Sequence, residues 1–291
     1  MSKKLRTRNH KVVLNRSAGG DAGISVFLII FGAFMFIPMY YAVVQSLKPL
    51  DELWYFPPKF YVVNPTFNNF KEMFSSMSTS WVPFSRYIFN TVLVAVVGTF
   101  GNLLFGSLAA YAISKIKFPG RVLMFRAVKM SLMFHVTVAS IVNFMTMSSL
   151  GIVDTYWALL IPAWGQTLGM FLMKQFMESG ISDAVLESAR LDGSSEFRTY
   201  WTIAMPMVKP AWLTLIVYSF KDLWAQGSSV YIMSEQYKSF NYAVQQVVSG
   251  GVSRAGVGMA AAVVMMIVPV MVFVFSQSRV VETMSTSGMK D

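Results

Sequence analysis

Residues 174–209 read KQFMESGISDAVLESARLDGSSEFRTYWTIAMPMVK, a polar stretch set between two apolar ones. Before it, residues 155–173 contain no Asp, Glu, Lys or Arg, and after it residues 210–234 contain only Lys221 and Asp222. Reading outward, three further charge-free runs precede this pair, at 22–47, 87–114 and 130–153, and one follows, at 255–278. An α-helix needs about 20 mostly apolar residues to cross the hydrocarbon core of a bilayer. The spacing therefore predicts an all-α polytopic membrane protein with six spans, at 22–47, 87–114, 130–153, 155–173, 210–234 and 255–278. Residues 1–21 form an N-terminal segment, 174–209 the longest loop on the same side, and 279–291 a tail.

Composition agrees with that reading. Of 291 residues, 55% are hydrophobic, 15% aromatic and 13% charged, where a water-soluble domain carries about 25% charged residues. Disordered chains are polar and poor in aromatics, so disorder is excluded as well. Cysteine is absent, which removes disulfides, a thiolate metal site and a thiol nucleophile. His10 and His135 are the only histidines, too few for a histidine metal cage, and no metal site or catalytic constellation is expected. The net charge of +10 is distributed by topology. Alternating the segments places sixteen lysines and arginines on the side of residues 1–21, 174–209 and 279–291, and six on the other. Cytoplasmic loops carry that excess, so both termini and the 174–209 loop are expected in the cytoplasm, with the basic charge against the bilayer surface rather than nucleic acid. The first apolar run exceeds a signal-peptide core and reads as a retained helix.

Within 174–209, Asp183 is the expected N-cap of a short helix over Ala184–Leu191, and Gly193 its terminator. Ser194 or Ser195 caps a second helix, Glu196 to Ile203, which Pro206 ends. Glu187-Ser188-Ala189-Arg190-Leu191-Asp192-Gly193, with Pro206 beyond, resembles the EAA loop of ABC importer permeases. The flanking residues resemble the carbohydrate-uptake branch, specifically the second, maltose-type permease subunit. Pro65-Thr66 with Asn68-Asn69-Phe70, Ala109-Ala110-Tyr111-Ala112 with Phe118-Pro119-Gly120-Arg121, Leu150 to Tyr156, and the ending Ser287-Gly288-Met289-Lys290-Asp291 extend the likeness over roughly residues 24–291. Ser188 stands where alanine is usual, and Phe220-Lys221-Asp222-Leu223-Trp224 departs from the usual fifth-helix pattern.

The resemblance implies a permease subunit of an ATP-driven, binding-protein-dependent importer for a carbohydrate, an oligosaccharide by preference. It implies a second homologous permease, two ATPase subunits that hold ATP and Mg, and an extracytoplasmic solute-binding protein. Glu187, Ser188, Ala189, Arg190, Asp192, Gly193 and Pro206 would form the coupling helix seated in the ATPase, and Gly288, Met289 and Lys290 a tail reaching it. The chain has no phosphate-cradling Gly-x-x-x-x-Gly-Lys-Ser/Thr loop, so it binds no nucleotide cofactor and is not itself an enzyme. An importer for another solute, or a carrier not driven by ATP, are the alternatives.

Inside the membrane the polar candidates are Asn143, Gln166, Lys221, Asp222 and Trp224. A charge at bilayer centre costs about 3 kcal/mol or more and turns to a cavity or partner. Helix neighbours project about 100° apart, so Lys221 and Asp222 are expected to find other partners. Lys221, Trp224 and Ser228 would share a face able to line a solute pathway. The outer loop 235–254, with Asn241, Gln245 and Gln246, would face the binding protein.

Overall fold

The computed structural model describes residues 18–78, 82–134, 136–227, 230–249, 251 and 254–287. Among them every regular element is helical. In chain order these are α1 (Ala18–Ser46), α2 (Leu50–Leu53), α3 (Asn68–Ser78), α4 (Phe84–Lys115), α5 (Arg121–Ser131), α6 (Val136–Ser149), α7 (Trp157–Trp164), α8 (Thr167–Gly180) and α9 (Asp183–Leu191). There follow α10 (Glu196–Thr199), α11 (Met205–Met207), α12 (Lys209–Trp224), α13 (Phe240–Val248) and α14 (Ala255–Ser287).

Among the described residues, three helices are long and apolar enough to cross a bilayer: Gly19–Ser46, Phe84–Lys115 and Ala255–Ser276. A fourth crossing is available if Glu196–Met207 and Lys209–Trp224, bent by 84°, act as one broken span. The remaining apolar runs, expected to supply further spans, are each divided into shorter helices. Run 130–153 is helical over α6, after a break from α5. Run 155–173 splits at Gly165 and Gln166, where Gln166 is extended (ψ 111°) ahead of α8. Pro162 lies inside α7, two residues before that helix ends at Trp164. Pro38 and Pro269 likewise lie inside helices that continue through them. Residues 48–78 carry the short helices α2 and α3, and buried polar groups tie 48–64 together. Lys48 Nζ donates to the Lys59 carbonyl (2.6 Å), and the Glu52 carboxylate accepts the Val63 and Asn64 amides.

The centre of the molecule is α4, which packs against α7, α8 and α12, while α14 packs against α1, α3 and α12. Between apolar helices in lipid, close approach and hydrogen bonds take the place of hydrophobic burial. The buried face of α4 shows both. It carries Thr91, Gly98, Gly101, Asn102, Ser107, Ala110 and Ser114. Asn102 Nδ2 donates to the Ala163 carbonyl on α7 (2.8 Å). Gly101 lets the Trp164 indole lie where a β-carbon would sit only 2.0 Å from Nε1, and that indole donates to the Val97 carbonyl (3.2 Å).

Candidate functional site

The segment between α8 and α12 folds into a helix–turn–helix braced against α4. Ser182, with extended backbone (ψ 136°), is the N-cap residue of α9. Asp183, expected in that place, is instead the first helical residue. Its carboxylate accepts from Lys115 Nζ (2.8 Å), which also donates to the Ile181 carbonyl (2.7 Å). The Lys115 ammonium holds the Asp183 carboxyl below the ordinary carboxylate range.

At the other end of α9, Gly193 adopts φ +77°, a left-handed backbone. The Gly193 amide donates to the Arg190 carbonyl and the Ser194 amide to that of Ala189 (both 3.0 Å). This is the glycine-terminated motif that satisfies the last carbonyls of a helix. Ser195 then caps α10 by accepting the Arg198 amide (3.3 Å). The second helix does not stop at Pro206. A π-turn over Tyr200–Ala204 leads into α11, and the direction changes at Val208. Pro206 sits in α11, just past the π-turn.

Burial separates the two faces of α9. Leu186, 1% exposed, points into a core with Ile181, Met173, Met177, Tyr200 and Val208, and Ala189, one turn on, is buried at 7% exposure. The outward face carries Ala184, Val185, Glu187, Ser188, Arg190, Leu191 and Asp192, with Leu191 89% exposed. Arg190 Nε donates to Glu196 Oε1 (2.7 Å), and Tyr111 of α4 donates to Glu196 Oε2 (2.9 Å). Deeper in, the hydroxyls of Tyr200 and Ser107 meet at 2.6 Å. Sequence reasoning missed Ser107, Tyr111, Lys115 and Glu196 in this site. The four-residue spacing of Ser107, Tyr111 and Lys115 on α4 was visible, but nothing local showed what they would face.

The polar candidates within the apolar runs are not gathered at one place. The α12 helix ends at Trp224, so Lys221 and Asp222 stand in its last turn and not at the middle of a 210–234 span. They approach each other only to 3.9 Å, Nζ to Oδ1, with side chains 63% and 38% exposed. As expected, both also find another partner, Tyr218, whose ring lies 5.8 Å from Lys221 Nζ and whose hydroxyl bonds Asp222. Trp224 is buried and donates to the Met265 carbonyl of α14 (3.0 Å). It thus faces the core while Lys221 faces out. Gln166 lies at the α7–α8 break beside Phe105, Trp164 and Thr167, and Asn143 is half-buried on α6. Ser228, His10, His135, Gly288, Met289 and Lys290 lie outside the described residues. Among the described residues, no three His, Asp or Glu side chains cluster as a metal site.

These features define an all-helical membrane protein that displays a braced helix–turn–helix between two of its apolar stretches. Residues 102–285 match the family described as "Binding-protein-dependent transport system inner membrane component", and the chain belongs to that family. It is 28% identical over 215 residues to the sn-glycerol-3-phosphate transport system permease protein UgpE of Yersinia enterocolitica, covering 74% of this chain and 76% of that one. It is 30% identical over 198 residues to Protein LplC of Bacillus subtilis, covering 66% and 63%. It is 26% identical over 203 residues to the diacetylchitobiose uptake system permease protein NgcG of Streptomyces coelicolor, covering 68% and 64%. In fold it is similar to a chain of a bacterial ABC transporter involved in the import of the acidic polysaccharide alginate, with a TM-score of 0.75 at 23% identity over 90% of this chain and 98% of that one.

Proposed function

We propose that this chain is the permease subunit of an ATP-driven importer for a carbohydrate, with α9 as the helix that docks into a partner ATPase. The observation that carries the reading is the build of α9. Its inner face is sunk in the core, both ends are pinned to α4, and its outer face offers apolar Val185 and Leu191 beside Glu187 and Ser188. An isolated nine-residue helix is marginal in water, so its order comes from this packing. Glu187 is placed to accept charge-assisted hydrogen bonds from a basic or backbone donor on a partner. Carbohydrate as the solute class is supported by relatives named for diacetylchitobiose uptake and by the fold of an alginate importer.

In this reading the chain crosses the membrane six times, with both termini and 174–209 in the cytoplasm. The broken runs α5–α6, α7–α8 and α10–α12 each serve as one crossing. A second homologous permease completes the membrane unit. Two ATPases hold ATP and Mg, and an extracytoplasmic binding protein delivers the solute against 235–254. Lys221 and Asp222 line the solute pathway, with Asn143 and Gln166, and Trp224 fixes that end of α12 from behind. The tail 288–290 reaches the ATPase.

The test is a co-purified complex reconstituted in vesicles. Glu187→Lys or Gly193→Pro is expected to abolish ATP-dependent uptake while the chain still inserts. Unchanged uptake in both variants, or uptake that follows an ion gradient and not ATP, overturns the reading.

A further inference from the structure

The bonds that fix α9 and those that fix the loop 235–240 are made to opposite ends of the same helix. At the C-terminal end of α4, Ser107, Tyr111 and Lys115 fall four residues apart and so form one stripe. Each holds a different part of the 181–200 segment. Lys115 takes Asp183 and the Ile181 carbonyl, Tyr111 takes Glu196, and Ser107 takes Tyr200. Glu196 is the joint, because one oxygen serves Tyr111 and the other Arg190 of α9. The helix α9 is thus held near both its ends, which resists pivoting in a way one contact cannot.

At the N-terminal end of α4, Tyr87 donates to Glu235 Oε1 (2.7 Å). Asn90 Nδ2 donates to the carbonyls of Gln236 (2.9 Å) and Lys238 (2.8 Å), and Asn90 Oδ1 accepts from Tyr156 (2.7 Å). Thr91 Oγ1 accepts the Phe240 amide (2.8 Å). Phe240, Ala243, Val244 and Val247 of α13 complete this attachment in a core with Tyr87. The helix between the two grips has 32 residues and no proline inside it, which at 1.5 Å per residue is a rod of roughly 48 Å. No proline kinks it, and its glycines at 98 and 101 are braced by Leu223 and Trp164 packed against them, so displacement at one end is carried along the packed helix.

We propose that α4 is a transmission rod. Tyr111 and Glu196 are positioning residues that pass movement of α9 into it, and Tyr87 and Asn90 deliver that movement to 235–240 and α13. The assignment rests on the reading that α9 docks an ATPase. Its own content is the path taken from there: through one helix, by named side chains at each end.

The natural chain lacks cysteine, so a single reporter is available. Gln246→Cys is placed on the exposed side of α13 in the co-purified complex, and its thiol-labelling rate is measured with and without ATP plus vanadate. The nucleotide is expected to change the rate severalfold. Adding Glu196→Gln or Tyr87→Phe is expected to remove that change while the ATPase stays bound on pull-down. Tyr111→Phe, which keeps the ring against Tyr200, is expected to do the same. Persistence of the shift in all three variants overturns the rod, as does the absence of any shift in the parent. Loss of the ATPase with Glu196→Gln would place Glu196 in the docking surface and overturn its assignment here. The docking reading is checked apart from these, by Glu187→Lys in the same pull-down. If that variant holds the ATPase normally, docking fails whatever the reporter does.

Discussion

Asp154 shows how much one side chain contributes to the packing of two loops, at 151–156 and 231–234. It is the one described non-glycine residue with positive φ (63°). Its Oδ1 accepts the amides of Met233 (3.0 Å) and Ser234 (2.8 Å), its Oδ2 accepts the Ser234 hydroxyl, and its own amide donates to the Tyr231 carbonyl. Aspartate tolerates the left-handed region because its short polar side chain bonds locally. Asp154→Ala is expected to cost about 1–3 kcal/mol through unpaired donors and backbone strain, read by thermal unfolding in detergent. Asp154→Asn keeps the amide acceptor and should cost about 1 kcal/mol or less. The Ser234 hydroxyl, with the two amides, holds the Asp154 carboxyl below its ordinary value. A depressed folded pKa gives stability that is present above the unfolded value and lost as pH falls through the folded one. The clasp should therefore persist at pH 5 and weaken only below about pH 4. Gly193 makes a different demand. Nothing lies within 4 Å of a β-carbon there, yet φ is +77°. Gly193→Ala is expected to cost about 1–2 kcal/mol of strain with no clash, against the larger loss from Gly193→Pro.

At the scale of elements, helix existence was legible and helix continuity was not. A charge-free run of about 20 residues predicts a span because of what hydrocarbon excludes. It does not say whether the backbone within it stays straight. Pro38, Pro162 and Pro269 all lie inside helices, and the one run among these that breaks does so past its proline, at Gly165 and Gln166. The two faces of α9 were equally hidden from the sequence: Leu186 and Ala189 are its buried residues, which their identities alone do not reveal. Close packing of α4 on α7 provides a direct test. Gly101→Ala would drive the Trp164 indole from its place and break its bond to Val97, costing about 1–3 kcal/mol as overpacking does. Unchanged thermal stability in that variant would mean the indole swings aside freely.

For the whole molecule, the lysine and arginine bias makes a statement about sidedness. Single cysteines are readily introduced into a chain that has none. Ser188→Cys on α9 should react with an impermeant thiol reagent only from the cytoplasmic side, and Ser75→Cys on α3 only from outside. Labelling of both from one side would reverse or cancel the proposed topology. Nearly all of α1 is exposed along its apolar length, from Ile24 to Ile37. A surface of that kind is stable in lipid or against another apolar helix, and in water it would be an aggregation site.

What the sequence determined by itself was the solvent and the class. Apolar runs, sparse charge and the Glu187–Gly193 motif are local properties, and local properties survive being read one window at a time. Tertiary structure alone decided where α12 stops, which face of α9 looks outward, why Trp224 stands apart from Lys221, and that Tyr87 and Tyr111 bind loops at opposite ends of one helix. Those outcomes depend on hydrogen bonds between residues as far apart as Tyr87 and Glu235. A side chain's partner across such a separation is fixed by the packing of whole helices and leaves no periodicity to read.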